Sequence, residues 1–153
     1  MTETRLPARA LRLVDGAPDV SLLPCDRLLD SGGIEYMRRF HLRQGRGPNR
    51  RFHLISAGDP GRDFHDHPWD YVTHLLSGTY LERTPDGDAL YEAPCTLVRT
   101  AEQLHRLELP DGPIWTYFVT GRFRRRWGFM TESGWVHHRD YAVAGRITGC
   151  ATE

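Results

Sequence analysis

From Ile34 onward the chain is interrupted at short intervals by glycine, proline and aspartate, and the segments between are rich in aromatic and β-branched residues. Segments of that length and texture are the punctuation of a β-sheet protein. Strands are expected at Ile34–Leu42, Arg51–Ser56, Trp69–Leu76, Thr79–Arg83, Ala89–Glu92, Thr96–Arg99, Gln103–Leu109, Ile114–Thr120 and Arg126–Met130. Ser77-Gly78 suits a tight hairpin, Pro85-Asp86-Gly87 and Pro110-Asp111-Gly112 are turn sequences, and Gly121 ends the aromatic strand before it. Eight or nine such strands in about 120 residues predict a sandwich, jelly roll or small barrel.

Residues 1–33 read as an irregular or partly helical lead-in. Its leucines (Leu11, Leu13, Leu22, Leu23, Leu28 and Leu29) are available to pack on the body, and Ser31-Gly32-Gly33 closes it. A β-barrel core over 34–141 and a tail over 142–153 complete one domain. No linker or repeat divides the 153 residues. The twenty basic and twenty acidic residues cancel and intersperse, which gives no reason to expect nucleic acid or a membrane as partner. No apolar run is long enough to span a bilayer and no secretory leader pattern opens the sequence, so a soluble, cytoplasmic protein is expected. Cys25, Cys95 and Cys150 are too widely and irregularly spaced for a disulfide framework or a zinc ribbon, in keeping with that expectation.

All twenty basic residues are arginine. Lysine Schiff bases and P-loop lysines are thereby excluded, and glycine-rich phosphate loops and a serine-hydrolase elbow are also missing. The chemistry is concentrated in histidines. His65 and His67 are one residue apart at the start of a strand-like run, and His105 lies within a later one. Side chains alternate across a strand, so H-x-H puts two imidazoles on one face within reach of one ion. The plainer alternative is three ordinary polar residues at a barrel mouth.

His65-x-His67, then Tyr71 and Gly78, followed by the separate His105, resembles the two-motif pattern of the cupin superfamily over roughly residues 50 to 130. The runs HDHPWD and WGFMTESGWVHHRDY are similar to a group of small cupin-like proteins of bacteria and phages. The resemblance implies an all-β, double-stranded β-helix of jelly-roll strands, with one divalent metal ion on His65, His67 and His105. It also implies a homodimer formed through sheet edges, in which the leucine-rich lead-in could take part. Tyr71 stands where the first motif usually has a glutamate, and Thr100 and Glu102 replace the proline and glycine of the second. The nearest family precedent is the three-histidine iron site of thiol dioxygenases. Iron is the expected metal, with zinc, nickel and manganese as alternatives.

Three neutral imidazoles leave an ion's charge uncompensated and its coordination open, which favours an anionic small-molecule substrate. Asp70, Glu102 and Glu108 are the carboxylates near enough in sequence to complete the shell, although alternation from His67 points Tyr71 inward and Asp70 outward. Tyr71 is the expected proton carrier or positioning group. Arg124 and Arg126, alternate residues of a basic run, would clamp the anion if they share a strand face, and Trp115 would line the pocket. The plainer account of the run is a solvated strand end, since a basic surface run usually means no more than solubility. An oxygenase-like cupin enzyme is favoured; a non-catalytic binding or accessory cupin and a metal-free isomerase or dehydratase are the competing classes.

Overall fold

A computed structural model describes residues 5–141 and 145–150. The first residues of the expected lead-in (1–4) and parts of the expected tail (142–144 and 151–153) lie outside the described residues. The architecture is all-β, a jelly roll of two walls around a cavity. One wall is a seven-stranded antiparallel sheet in the order β13-β1-β2-β3-β10-β5-β8, with β1 at Cys25–Leu29, β2 at Glu35–Arg43 and β3 at Arg50–Ile55. Its other members are β5 at Tyr71–Ser77, β8 at Cys95–Arg99, β10 at Ile114–Thr120 and β13 at Arg146–Gly149.

The other wall is two three-stranded sheets placed edge to edge. One is β12-β11-β4, made from Gly134–His137, Gly128–Thr131 and Phe64–His65; the second is β7-β6-β9, made from Gly87–Glu92, Thr79–Thr84 and Arg106–Glu108. An antiparallel bridge joins them: the backbone N–H groups of His65 and His105 each donate to the other's carbonyl, at 2.9 and 3.0 Å. Two of the expected ligands are thus the seam of this wall.

Alternation sets the two faces of the large sheet. Phe40, Phe52, Leu54, Trp115 and Tyr117 form an outer cluster, sealed by Ala10 and Val20 of the lead-in with Leu6, Val14 and Leu23 against it. The lead-in is mostly irregular, with one short helix at Ala10–Leu13 and a 3-10 turn at Val20–Leu22. Leu11, Leu13 and Leu22 of that segment remain exposed. Residues of the opposite parity, including Arg39, His53, Ile55, Ile114, Thr116 and Phe118, face the cavity.

Four strands escape the sequence reading. β1 lies inside the expected lead-in and β13 inside the expected tail; each pairs with the other, across more than a hundred residues, where no turn signal betrays a partner. β4 is two residues long, and β12 is the return arm of a hairpin. The expected strand Arg126–Met130 begins only at Gly128, because the Arg124 and Arg125 N–H groups donate to the Pro68 carbonyl instead of a ladder partner. Cys25 and Cys150 are joined as a disulfide with Cα atoms 5.3 Å apart, and Cys95 is free. That pairing corrects the reading of the cysteines as unbridged, and it removes the support they gave to a reducing compartment. Widely spaced cysteines conceal a bridge that only the β1–β13 pairing brings together. Among the described residues, no helix is long and apolar enough to cross a membrane.

Candidate metal centre

His65 ends β4, and His67 follows in extended chain whose N–H donates to the Ala101 carbonyl. The two-residue period carries both imidazoles into the cavity. Asp66 between them points the opposite way, where its carboxylate accepts from the Gly128 N–H at 2.7 Å and the Trp135 indole at 3.1 Å and pairs with Arg125 at 2.7 Å. This buried clamp holds the backbone of the H-x-H segment in place. His105 enters from the far side of the seam.

One ring nitrogen from each of His65, His67 and His105 lies within 4.8 Å of the others. The Nε2 atoms of His67 and His105 are 2.9 Å apart. Two nitrogens bound to one ion at about 2.1 Å and near a right angle stand about 3 Å apart, so this donor set fits a divalent ion. Asp70, Glu102 and Glu108 do not complete it: Asp70 and Glu102 bind Arg124, and Glu108 binds Arg83 and Arg106. An all-imidazole set suits iron, zinc, nickel or copper better than magnesium or calcium.

A carboxylate is nevertheless present one step back. Glu82, on the inward face of β6 two residues after the buried Tyr80, accepts from His105 Nδ1 at 2.8 Å and from Arg99 at 2.6 Å. The bond to Nδ1 leaves His105 Nε2 as the lone pair facing the cavity. Burial opposes ionisation of Glu82, but the hydrogen bonds from His105 and Arg99 outweigh it and hold the carboxyl down at about 2. Sequence reasoning passed over Glu82, although the alternation Tyr80-x-Glu82 puts a carboxylate on a core-facing position.

Burial also lowers the imidazoles of His65 and His67. His65 falls to about 4 against the pull of Asp59, and His67 lies well below the usual range through burial and the neighbouring His65, His105 and Arg39. The metal-free protein is therefore expected to lose stability on acidification. An unfolded histidine titrates near 6.5 and His65 in the fold near 4. Between these values the unfolded chain binds more protons, and stability falls as pH drops. Glu82 continues the fall from 4.5 to about 2, for the same reason. Urea midpoints measured through the acid range check this; a midpoint that rises on acidification from neutrality would contradict it.

Tyr71 opens β5 and points inward as alternation requires, with its hydroxyl 3.4 Å from His105 Nε2. Burial, reinforced by Glu82, raises its pKa well above the ordinary phenol value, so the hydroxyl keeps its proton. The structure therefore brings together His65, His67, His105 and Tyr71. The other three expected site residues lie elsewhere. Arg124 is on the surface, paired with Asp70 and Glu102, and Arg126 is exposed; residues 122–126 form no strand that could present alternate arginines to a pocket. Trp115 stacks on Phe40 in the outer cluster, because Ile114 and Thr116 take the inward positions of β10.

The arginines lining the cavity are instead Arg39 and Arg51, from β2 and β3, and Arg99 of β8, which is paired with Glu82. The cavity measures about 220 Å³, and Trp69, Phe118, Trp127 and Phe129 are among its aromatic walls.

No protein-family model matches the sequence, and no curated protein matches it. Solved structures similar to this chain include proteins described as having cupin domains or a cupin-like fold. One, a protein of unknown function with a cupin-like fold from Ralstonia eutropha, shares 17% identity over 78% of this chain and 72% of its own, with a TM-score of 0.54. A cupin-2 domain protein from Rhodospirillum rubrum shares 13% over 65% of this chain and 68% of its own, TM-score 0.54. A polyketide cyclase from Streptomyces resistomycificus shares 12% over 63% and 72%, TM-score 0.54. At such identities the likeness is one of fold.

Proposed function

We propose that this chain, which has the cupin fold, is a metal-dependent enzyme of oxygenase type that acts on a small anionic molecule. The observation that carries the reading is the convergence of three imidazoles, without a carboxylate among them, on an aromatic-walled cavity. His65, His67 and His105 would hold the ion, with iron favoured. When bound, the ion supplies Lewis acidity or a redox centre to a ligand in the cavity. Glu82 fixes the His105 tautomer and is itself held by Arg99. The aromatic walls give a ligand apolar surface to pack on, and Tyr71 holds a proton beside His105 Nε2 that a bound ligand can accept as a hydrogen bond.

Elemental analysis of protein purified without a histidine tag tests the metal part. Tyr71→Phe tests the rest. It removes one hydroxyl from a site whose metal-facing nitrogens are all imidazole. Folding and metal content are expected to stay within about twofold of wild type, and turnover to fall by about 100-fold, the usual scale for a positioned proton donor. Metal loss in Tyr71→Phe would make the tyrosine a ligand; unchanged turnover would make it a packing residue.

A further inference from the structure

Four of the eight buried side-chain polar atoms that lack a partner among the described residues fall on one patch of the cavity wall: Arg39 Nε, Arg51 Nε, His53 Nε2 and Thr116 Oγ1. The strand register explains their grouping. Arg39 lies opposite His53 across β2 and β3, His53 lies opposite Thr116 across β3 and β10, and Arg51 precedes His53 by one strand period on the same face. His53 and Thr116 are 6% and 3% exposed, so solvent does not satisfy them. The carboxylate that acts on both arginines, Asp26, bonds His41 instead, at 2.7 Å. Native proteins leave few buried polar atoms unpaired, and a row of them beside two guanidinium groups is suited to an anionic partner.

We propose that Arg39 and Arg51, with Thr116 and His53, form a carboxylate anchor, and that the ligand is a ring-sized carboxylate reaching from this anchor toward the three histidines. An arginine fork and a hydroxyl match the two oxygens of a carboxylate. The size follows from the cavity. About 150 Å³ of apolar space accepts benzene, and the cavity here is about 220 Å³, leaving room for one ring and a polar group. The path between the two ends is aromatic: Arg51 lies 5.9 Å from the centre of the Trp69 ring, and Trp69 stacks on His67 at 5.0 Å. The anchor rests on the metal-dependent reading only for the far end of the ligand, since the arginines need no ion to bind an anion.

Calorimetric titration of the full chain, metal-stripped and metal-loaded, with benzoate and its neutral counterpart benzamide tests the assignment. Benzoate is expected to bind the stripped protein and benzamide at least tenfold more weakly. Arg39→Met and Arg51→Met should each weaken benzoate by about 10- to 100-fold, the scale of one lost charged hydrogen bond, and Thr116→Val by several-fold. Each arginine variant should melt at or above the wild-type temperature without ligand, because it removes an uncompensated buried charge. A variant that melts lower or fails to fold marks its arginine as structural and overturns the anchor. So does the absence of benzoate binding, or binding only after metal loading that survives both substitutions; the latter leaves the metal centre standing. Benzoate binding by a protein that takes up no metal keeps the anchor and removes the metal-dependent enzyme.

Discussion

Replacing His67 with alanine is expected to abolish metal retention, and His105→Ala to do the same. Each removes one of three nitrogens in a set that has no carboxylate to compensate. Loss of a partner that only supports a ligand costs metal affinity about 10- to 100-fold, so loss of a ligand itself should exceed about 100-fold. His53→Ala is the matched control: it truncates a buried cavity histidine outside the cluster, and metal content should hold. Competition against a chelator of known affinity measures all three. Equal losses in His53→Ala and His67→Ala would mean that general disruption of the cavity, and not ligation, is being read.

The second large effect belongs to Glu82. Glu82→Gln keeps the side chain's shape while removing the charge that orients His105 and pairs Arg99, so metal affinity should fall by about 10- to 100-fold and the fold should lose stability, as it does when acid neutralises Glu82, but less than in Glu82→Ala. Glu82→Ala goes further. It strands Arg99, whose side chain is 15% exposed, and leaves His105 Nδ1 without its acceptor. Removing one partner of such a pair costs about 3–5 kcal/mol, which should show directly in chemical denaturation. If Glu82→Gln matched wild type in metal affinity while Glu82→Ala lost stability, Glu82 would be a structural partner of Arg99 and nothing more.

The sequence revealed what depends on local pattern. H-x-H spacing put His65 and His67 on one face, the same alternation turned Tyr71 in and Asp70 out, and turn residues marked most strands of the large sheet. What it concealed depends on partners distant in the chain. Arg39, Arg51 and His53 carry no motif, and their shared face exists only once β2, β3 and β10 are in register. Glu82 gains its meaning from His105, twenty-three residues later. The basic run drew attention by its charge density, yet charge density is what a solvated surface tolerates, and Arg124 answers to Asp70 and Glu102. Arg39 and Arg51 stand next to Phe40 and Phe52 in the chain, so the alternation that packs those rings outward turns the two arginines to the cavity.

The placement of β10 between β3 and β5 has a consequence for how the protein comes into being. A chain synthesised from its N-terminus has β1, β2, β3 and β5 available long before residue 114 emerges, but the strand that joins them is still missing. The half-made sheet presents unpaired edges on β3 and β5, and β1 waits longer still for β13. The large sheet therefore closes only after β10 and β13 have emerged, and because these pairings are distant in sequence its formation is expected to be slow, with the edges of β3 and β5 unpaired in the meantime.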